Sequence, residues 1–335
     1  MCLYPKLIKN PKYKPNKKNG GQVPPVNDER VKYVPIGCQN CIECRKQKAR
    51  EWQIRLQEDI KTNTNAKFIT LTFNNESISK IYEILKTNAK TNKIEEPTDY
   101  QLDNEAATWA TRHFLERWRK KYKKSLRHWL VTELGHNGTE NIHMHGIIWT
   151  NESMDEVEKQ WQYGWIWKGK KINDKIENYV NAKTINYIIK YVNKTDEKHP
   201  SYKSIILTSP GIGNNYTNTK DSRKNKYNEN KTIETYRTTT GHKMAMPIYY
   251  RNKIYTEEEK EKLWINKIDK QERYVLGEKI SVKNGEEKYT KALEGAQKIN
   301  KQLGYGDNIK NWKQEQYEKE RRQLKQTERI QKAKQ

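Results

Sequence analysis

The stretch NIHMHGIIWT, residues 141–150, decides how the rest of the chain is read. Side chains alternate along a strand, so His143 and His145 project from one face while Ile142, Met144 and Ile148 turn to a core on the other. Two imidazoles so placed, roughly 6–7 Å apart at Cα, can share one metal ion. Just upstream, RHWLVTEL (127–134) and a turn containing Asn137-Gly138 read as the antiparallel partner, joined by a loop slightly longer than a tight hairpin. Glu133 ends that partner strand, and the pairing brings its carboxylate beside the histidines as a third ligand. His136, in the loop, is the competing third ligand; Glu133 is preferred because a strand holds its side chains more rigidly. Two imidazoles and a carboxylate with positions left open suit Mg2+ or Mn2+ that must also bind a phosphate.

On the amino-terminal side, AKFITLTFNN is a strand, with Phe68, Ile69, Leu71 and Phe73 among Thr70 and Thr72. A helix is predicted from Thr98, where Thr98 and Gln101 form a capping box and Ala106, Trp109, Ala110, Phe114, Trp118 and Tyr122 recur at helical spacing. On the carboxyl-terminal side, Ser153 and Glu156 open a short helix through Trp161, and YGWIWKG after it is a Trp-rich strand. KTINYIIKYVNK then predicts a helix over 183–194. At 100° per residue, Ile185, Ile188, Ile189 and Val192 gather on one side, and Tyr187, Lys190, Tyr191 and Lys194 on the other. A phenol with a free pKa of ~10 is a poor nucleophile at neutral pH. Covalent catalysis by Tyr187 or Tyr191 therefore needs nearby cations, which Lys190 and Lys194 supply. Together these elements predict an α+β domain over residues 66–200: a central antiparallel sheet presenting the histidines, helices packed behind it, and helix 183–194 laying its tyrosines over the metal.

The composition points the same way. The 335 residues include 66 Lys+Arg against 42 Asp+Glu, a formal charge of +24 that calls for a polyanionic partner. Hydrophobic residues make up 33%, enough for one core of roughly 150–200 residues, so some of the chain is expected to be arm, loop or tail. No run approaches the ~18 apolar residues of a spanning helix, which favours nucleic acid over a membrane. Residues 1–65 read as a basic arm without periodicity between Pro5 and Pro35, a cysteine cluster, and a basic helix in which Arg45, Lys48, Arg50 and Arg55 surround a narrow stripe of Trp52, Ile54 and Leu56. Residues 201–256 read as a short β-rich extension containing SPGIG and MPIYY, and 257–335 as a charged tail, helical or disordered. The first residues lack the apolar segment of a secretory signal, so a reducing cytoplasm is expected. In that compartment Cys38, Cys41 and Cys44, spaced C-x2-C-x2-C, point to thiolate metal ligands rather than disulfides. With Cys2 they make four thiolates for a structural Zn2+; free reduced thiols and another metal, such as an iron–sulfur cluster, are the alternatives. The 10 Trp and 21 Tyr against 3 Phe, interleaved with Lys and Arg, suit single-stranded DNA. Arg45, Lys48, Arg50, Lys190 and Lys194 are the candidate phosphate contacts. GWIWKGKK (164–171) places Lys171 where a phosphate loop needs Ser or Thr, so the chain shows no ATPase signature.

FITLTF, a histidine-hydrophobe-histidine strand and a helix bearing Tyr-x-x-Lys-Tyr-x-x-Lys, in that order, resemble the HUH endonucleases, the rolling-circle replication initiators of small single-stranded DNA replicons. The doubled tyrosine unit, CQNCIECRKQKAREW, SPGIG and MPIYYRNKIYTEEEK look like the replication initiation proteins of gokushovirus-type microviruses, which are small bacteriophages. The resemblance spans most of residues 1 to 262 and leaves out the charged tail; Met144 departs from it by standing where a bulkier aromatic is frequent. It implies an HUH-like central antiparallel sheet and a metal-dependent nuclease and strand transferase. His143, His145 and Glu133 would hold the divalent ion, and Tyr187 or Tyr191 would attack origin DNA to leave a 5′-phosphotyrosyl link and a 3′-OH. The other tyrosine would cleave the regenerated origin, and rejoining would release circular single-stranded DNA. It also implies a bacterial host cytoplasm, a host polymerase and a separate host helicase. A plasmid relaxase or transposase of the same superfamily, and a non-catalytic basic nucleic-acid-binding protein, are the alternative readings.

Overall fold

The computed structural model describes residues 2–136, 138, 140–306, and 322, 323, 326, 329 and 330. The chain divides into two compact units, one of Met1–Ile54 and Asn214–Lys310, the other of Arg55–Gly213 and Asn311–Gln335. In the first unit β1 (Lys6–Lys9) pairs antiparallel with β2 (Tyr33–Ile36). The segment between them, expected to lack a fold, is instead built of short turns capped by its own side chains. Asn10 accepts from the Lys12 N–H, Asn16 from those of Lys18 and Asn19, and Asp28 from that of Arg30. Such local bonds order a stretch that has no hydrophobic period to show, and Leu3, Tyr13 and Val31 are buried within the unit. The helix α1 (Ile42–Thr62) follows; the unit boundary falls within it.

The second unit holds the sheet. Its strands are β3 (Ala66–Leu71), β4 (Arg127–Leu134), β5 (Ile142–Trp149), β6 (Ile166–Trp167) and β9 (Ile206–Thr208), in the order β6-β3-β5-β4-β9 with every pairing antiparallel. This is the α+β architecture expected from the sequence. One face packs on α2 (Asn75–Thr91), α3 (Asp99–Tyr122) and α4 (Met154–Trp161), burying Ile69, Leu71, Leu130, Met144 and Ile148 among Ile78, Tyr82, Ala106, Phe114 and Trp161. The helix α2 is an addition to the elements expected. Its signal is the i, i+3, i+4, i+7 series Ile78, Ile81, Tyr82 and Leu85, with Asn74 capping through the Ser77 N–H. The capping box expected at Thr98 does not form: Thr98 makes no side-chain cap bond, and the Gln101 amide donates instead to Glu105, 2.8 Å away on the next turn. A hairpin of β7 (Lys170–Ile172) and β8 (Lys175–Glu177) leads to α5 (Ala182–Asn193), which packs along β4 on the opposite face of the sheet.

The first unit resumes with α6 (Lys220–Arg223), the pair β10 (Thr235–Arg237) and β11 (Lys243–Ala245), α7 (Ile248–Ile254) and α8 (Glu257–Asp269). It ends with the pair β12 (Glu272–Val275) and β13 (Glu278–Ser281), and then α9 (Glu287–Gln302). MPIYY, expected as a β-like piece, starts α7: Pro247 is its N-cap, and Tyr250 is buried beside Ile54, Tyr216 and Tyr236. Of the charged run after Gly306, residues 307–321, 324, 325, 327, 328 and 331–335 lie outside the described residues. Arg322 is described, and it is buried with its guanidinium donating to the Asp103 carboxylate at 2.6 Å.

Candidate active site and metal-ligating groups

The register of β4 on β5 sets Glu133 opposite His143 and Val131 opposite His145. One oxygen of the Glu133 carboxylate, Oε2, lies 3.2 Å from His143 Nε2 and 3.1 Å from His145 Nε2, and the ligand atoms of the three residues fall within 4.8 Å of one another. Burial pushes the Glu133 carboxyl up, but the hydrogen bonds and charges of His143 and His145 outweigh it and hold the group well below the usual carboxylate range. Burial lowers the His145 pKa despite the pull of Glu133 in the other direction. Each imidazole turns its second nitrogen to a partner on the sheet. His145 Nδ1 is 3.0 Å from the Thr70 hydroxyl, and His143 Nδ1 is 3.5 Å from the Asn141 carbonyl. Such outer contacts fix ring orientation and tautomer in metal sites. His136, the competing ligand, stands at the edge of the group, with Nε2 3.9 Å from the other Glu133 oxygen and 3.8 Å from Asp196.

The phenols reach this group from α5. Asn181 and Thr184 form a capping box that fixes where the helix starts, and Ile185, Ile188, Ile189 and Val192 are buried. The opposite side presents both tyrosines: the Tyr187 and Tyr191 hydroxyls are 2.7 Å apart, and the Tyr191 ring stacks on His145 with centroids 4.2 Å apart and planes 14° apart. Tyr187 is exposed, while burial, the Tyr187 hydroxyl and the negative Glu133 together raise the Tyr191 phenol above its ordinary value. The lysines divide between the two parts of the site. Lys190 Nζ lies 5.8 Å from the Tyr187 ring centre, whereas Lys194 Nζ sits 3.3 Å from Glu133 Oε1 and 3.4 Å from His136 Nε2. A small pocket beside Glu133 and Tyr191 is also lined by His136, Lys194 and Asp196.

Residues 66–196 match the family model of the replication-associated proteins of the ORF2 and gene-II-protein type. That family is one of rolling-circle replication initiators. Searches of curated proteins and of solved structures returned no match. The family match runs from β3 to just beyond α5, so it contains the histidines, Glu133 and both tyrosines. Among the described residues, no helix is long and apolar enough to cross a membrane.

Within the region matched by the replication-associated family, the site has members that the sequence did not single out. Thr70 lies opposite both His145 and Trp167, and the Thr72 N–H donates to the Trp165 carbonyl at 3.0 Å. Strand parity therefore sets Phe68, Thr70, Thr72, Trp165 and Trp167 on the histidine face. Phe68 lies parallel to His145 with ring centres 6.4 Å apart, and Trp165 is 60% exposed. The signal was the alternation in FITLTF, where Ile69 and Leu71 enter the core and Phe68, Thr70 and Thr72 are left for the other face.

Outside the matched region, Cys2, Cys38, Cys41 and Cys44 form a second group whose ligand atoms fall within 4.8 Å of one another, so the described residues include two groups able to hold a metal ion. Arg45 on α1 is half-buried, with its guanidinium 5.7 Å from the Tyr305 ring centre and donating to Asn40 at 2.9 Å. Lys48 and Arg50 are exposed on the same helix.

Proposed function

We propose that this protein initiates rolling-circle replication by nicking single-stranded origin DNA with a tyrosine nucleophile and later rejoining the strand. The observation that carries this reading is the stacking of Tyr191 on His145, with the Tyr187 hydroxyl 2.7 Å from that of Tyr191. His143, His145 and Glu133 would hold Mg2+ or Mn2+, the hard-to-borderline ions that suit this donor set. When bound, the ion would draw charge from the scissile phosphate. Thr70 orients His145, and Lys194 helps balance the Glu133 carboxylate.

The chemistry is a transesterification. One phenol oxygen forms a bond to phosphorus, the bond to the 3′-oxygen breaks, the phenol gives up its proton and the departing 3′-oxygen gains one. One phosphodiester replaces another, so the step needs no energy source. The 3′-OH then serves a host polymerase, with unwinding left to a separate host helicase. The second phenol, one helical turn away, repeats the attack on the regenerated origin, and the new 3′-OH attacks the first phosphotyrosine to close a circle and restore its phenol. Lys190 and the exposed ring of Tyr187 face the entering strand. The test is incubation with circular single-stranded phage DNA and Mn2+. Nicked DNA carrying covalent protein is expected from the parent chain, and none from the Tyr187→Phe, Tyr191→Phe double variant. Equal nicking by that double variant would overturn the proposal.

A further inference from the structure

We propose that Cys2, Cys38, Cys41 and Cys44 bind one zinc ion as a tetrahedral thiolate site that ties the first residues of the chain to the start of α1. This goes beyond the nicking reaction and rests on other residues in the other unit. The sulfurs are already at the spacing a single ion requires. Zinc–sulfur bonds of ~2.3 Å in a tetrahedron place sulfurs about 3.8 Å apart. Cys38 Sγ lies 4.0 Å from Cys44 Sγ, and Cys41 Sγ lies 3.9 Å from Cys2 Sγ. These separations are about twice a disulfide bond, and a polynuclear cluster would set its own iron–sulfide core between the thiolates and hold them farther apart.

The backbone is arranged for sulfurs carrying negative charge. Cys2 Sγ accepts from the N–H groups of Tyr4 at 3.3 Å and Cys38 at 3.2 Å, Cys38 Sγ from that of Cys41 at 3.2 Å, and Cys41 Sγ from that of Leu3 at 3.5 Å. Hydrogen bonds of this kind, aimed at the ligand atom, are the outer support of a metal site. Gly37 fits the same demand for space, because a Cβ there would come within 2.9 Å of Cys44 Sγ. Around the sulfurs, Leu3, Ile42, Val275 and Ala296 are buried, and α9 braces both segments that meet there. Asn300 Oδ1 accepts from the Ile42 N–H at 2.8 Å, and the Gln297 amide donates to the Leu3 carbonyl at 2.8 Å. Soft thiolates select zinc over the hard ions suited to the histidine group, so the two groups would load independently.

The experiment is elemental analysis of the full chain purified without chelator, beside Cys2→Ser, Cys41→Ser and His143→Ala. One zinc per chain is expected in the parent and in His143→Ala, and little or none in Cys41→Ser. Cys2→Ser should surrender its zinc to a colorimetric chelator at least tenfold faster than the parent. Should Cys41→Ser fail to fold, Co2+ exchanged into the parent chain gives a second readout, with sulfur-to-cobalt charge transfer and the visible bands of tetrahedral cobalt expected. Absence of stoichiometric zinc, iron in its place, zinc unaffected by both cysteine variants, or octahedral cobalt spectra would each overturn the proposal. Loss of nicking in the histidine variant with zinc retained bears on the nicking site alone.

Discussion

Replacing Thr70 by Val keeps the size and branching of the side chain but removes the hydroxyl 3.0 Å from His145 Nδ1. That hydroxyl is the fixed partner that leaves Nε2, on the far side of the ring, directed at Glu133. A neutral hydrogen bond contributes about 0.5–1.5 kcal/mol net. At about 1.4 kcal/mol per decade, that is roughly two- to twelvefold in an equilibrium constant. Loss of a partner that orients a metal-bound histidine costs about 10–100-fold. The lower part of that range applies, because the His145 ring is also flanked by Phe68 and Tyr191, with planes 9° and 14° from its own. Half-maximal nicking should therefore shift to about tenfold higher Mn2+ in Thr70→Val, with the maximal rate at saturating ion largely restored. The assay is strand cleavage of a labelled origin oligonucleotide across a Mn2+ titration, with Thr70→Ser, which retains the hydroxyl, expected to follow the parent. An unchanged midpoint in Thr70→Val, or a deficit that saturating Mn2+ leaves in place, would refute the assignment of Thr70 as the orienting partner.

Three further outcomes are expected. Gly146 faces β4 so closely that an added Cβ would meet the Trp129 carbonyl oxygen and lie 2.8 Å from Leu130 Cα, so Gly146→Ala should cost about 3 kcal/mol or more in chemical denaturation; a loss under about 1 kcal/mol would contradict the register. His128 is buried against the Leu126 carbonyl, and burial lowers its pKa. Its contribution is complete above the unfolded value near 6.5 and falls as pH drops below that, which thermal unfolding of the parent against His128→Gln should show between about pH 6.5 and 5; parallel profiles would contradict it. The depressed Glu133 acts in a lower window, its stabilisation present above about pH 4.5 and lost as pH falls toward its folded value. Trp165, exposed on the histidine face, should act as a stacking surface for a base, so Trp165→Ala should weaken binding of a single-stranded oligonucleotide in metal-free buffer by about 5- to 100-fold while Trp165→Phe retains most of it; equal anisotropy titrations would refute this.

The parts of the site that lie on regular elements were legible because period and chemistry coincide there. In 141–150 the alternation that sends Met144 and Ile148 to the core sends His143 and His145 to the other face. In α5 the helical period that buries Ile185, Ile188 and Val192 turns the tyrosines the other way. Thr70 was harder to read, since nothing local distinguishes a threonine that favours a strand from one that holds an imidazole across it; only the pairing with β5 does so. Lys194 reads as a companion of the phenols by spacing, yet it caps α5 with an extended backbone and swings to Glu133. The order between Pro5 and Pro35 stayed hidden because Asn and Asp caps, which carry no periodic signal, supply it. Cys2 joins cysteines that begin 36 residues later, a closure set by the tertiary fold.

The central claim, that both phenols of α5 can take up a DNA phosphate, is tested most directly by peptide mapping of the protein after reaction with origin DNA. Trypsin cuts after Lys183, Lys190 and Lys194, so Tyr187 and Tyr191 fall on separate peptides, TINYIIK and YVNK. After nuclease digestion, nucleotide mass is expected on one peptide or the other in the parent chain, on YVNK alone in Tyr187→Phe and on TINYIIK alone in Tyr191→Phe, each dependent on Mg2+ or Mn2+. Nucleotide mass on any other residue, or on neither peptide while the DNA is cut, would contradict the account.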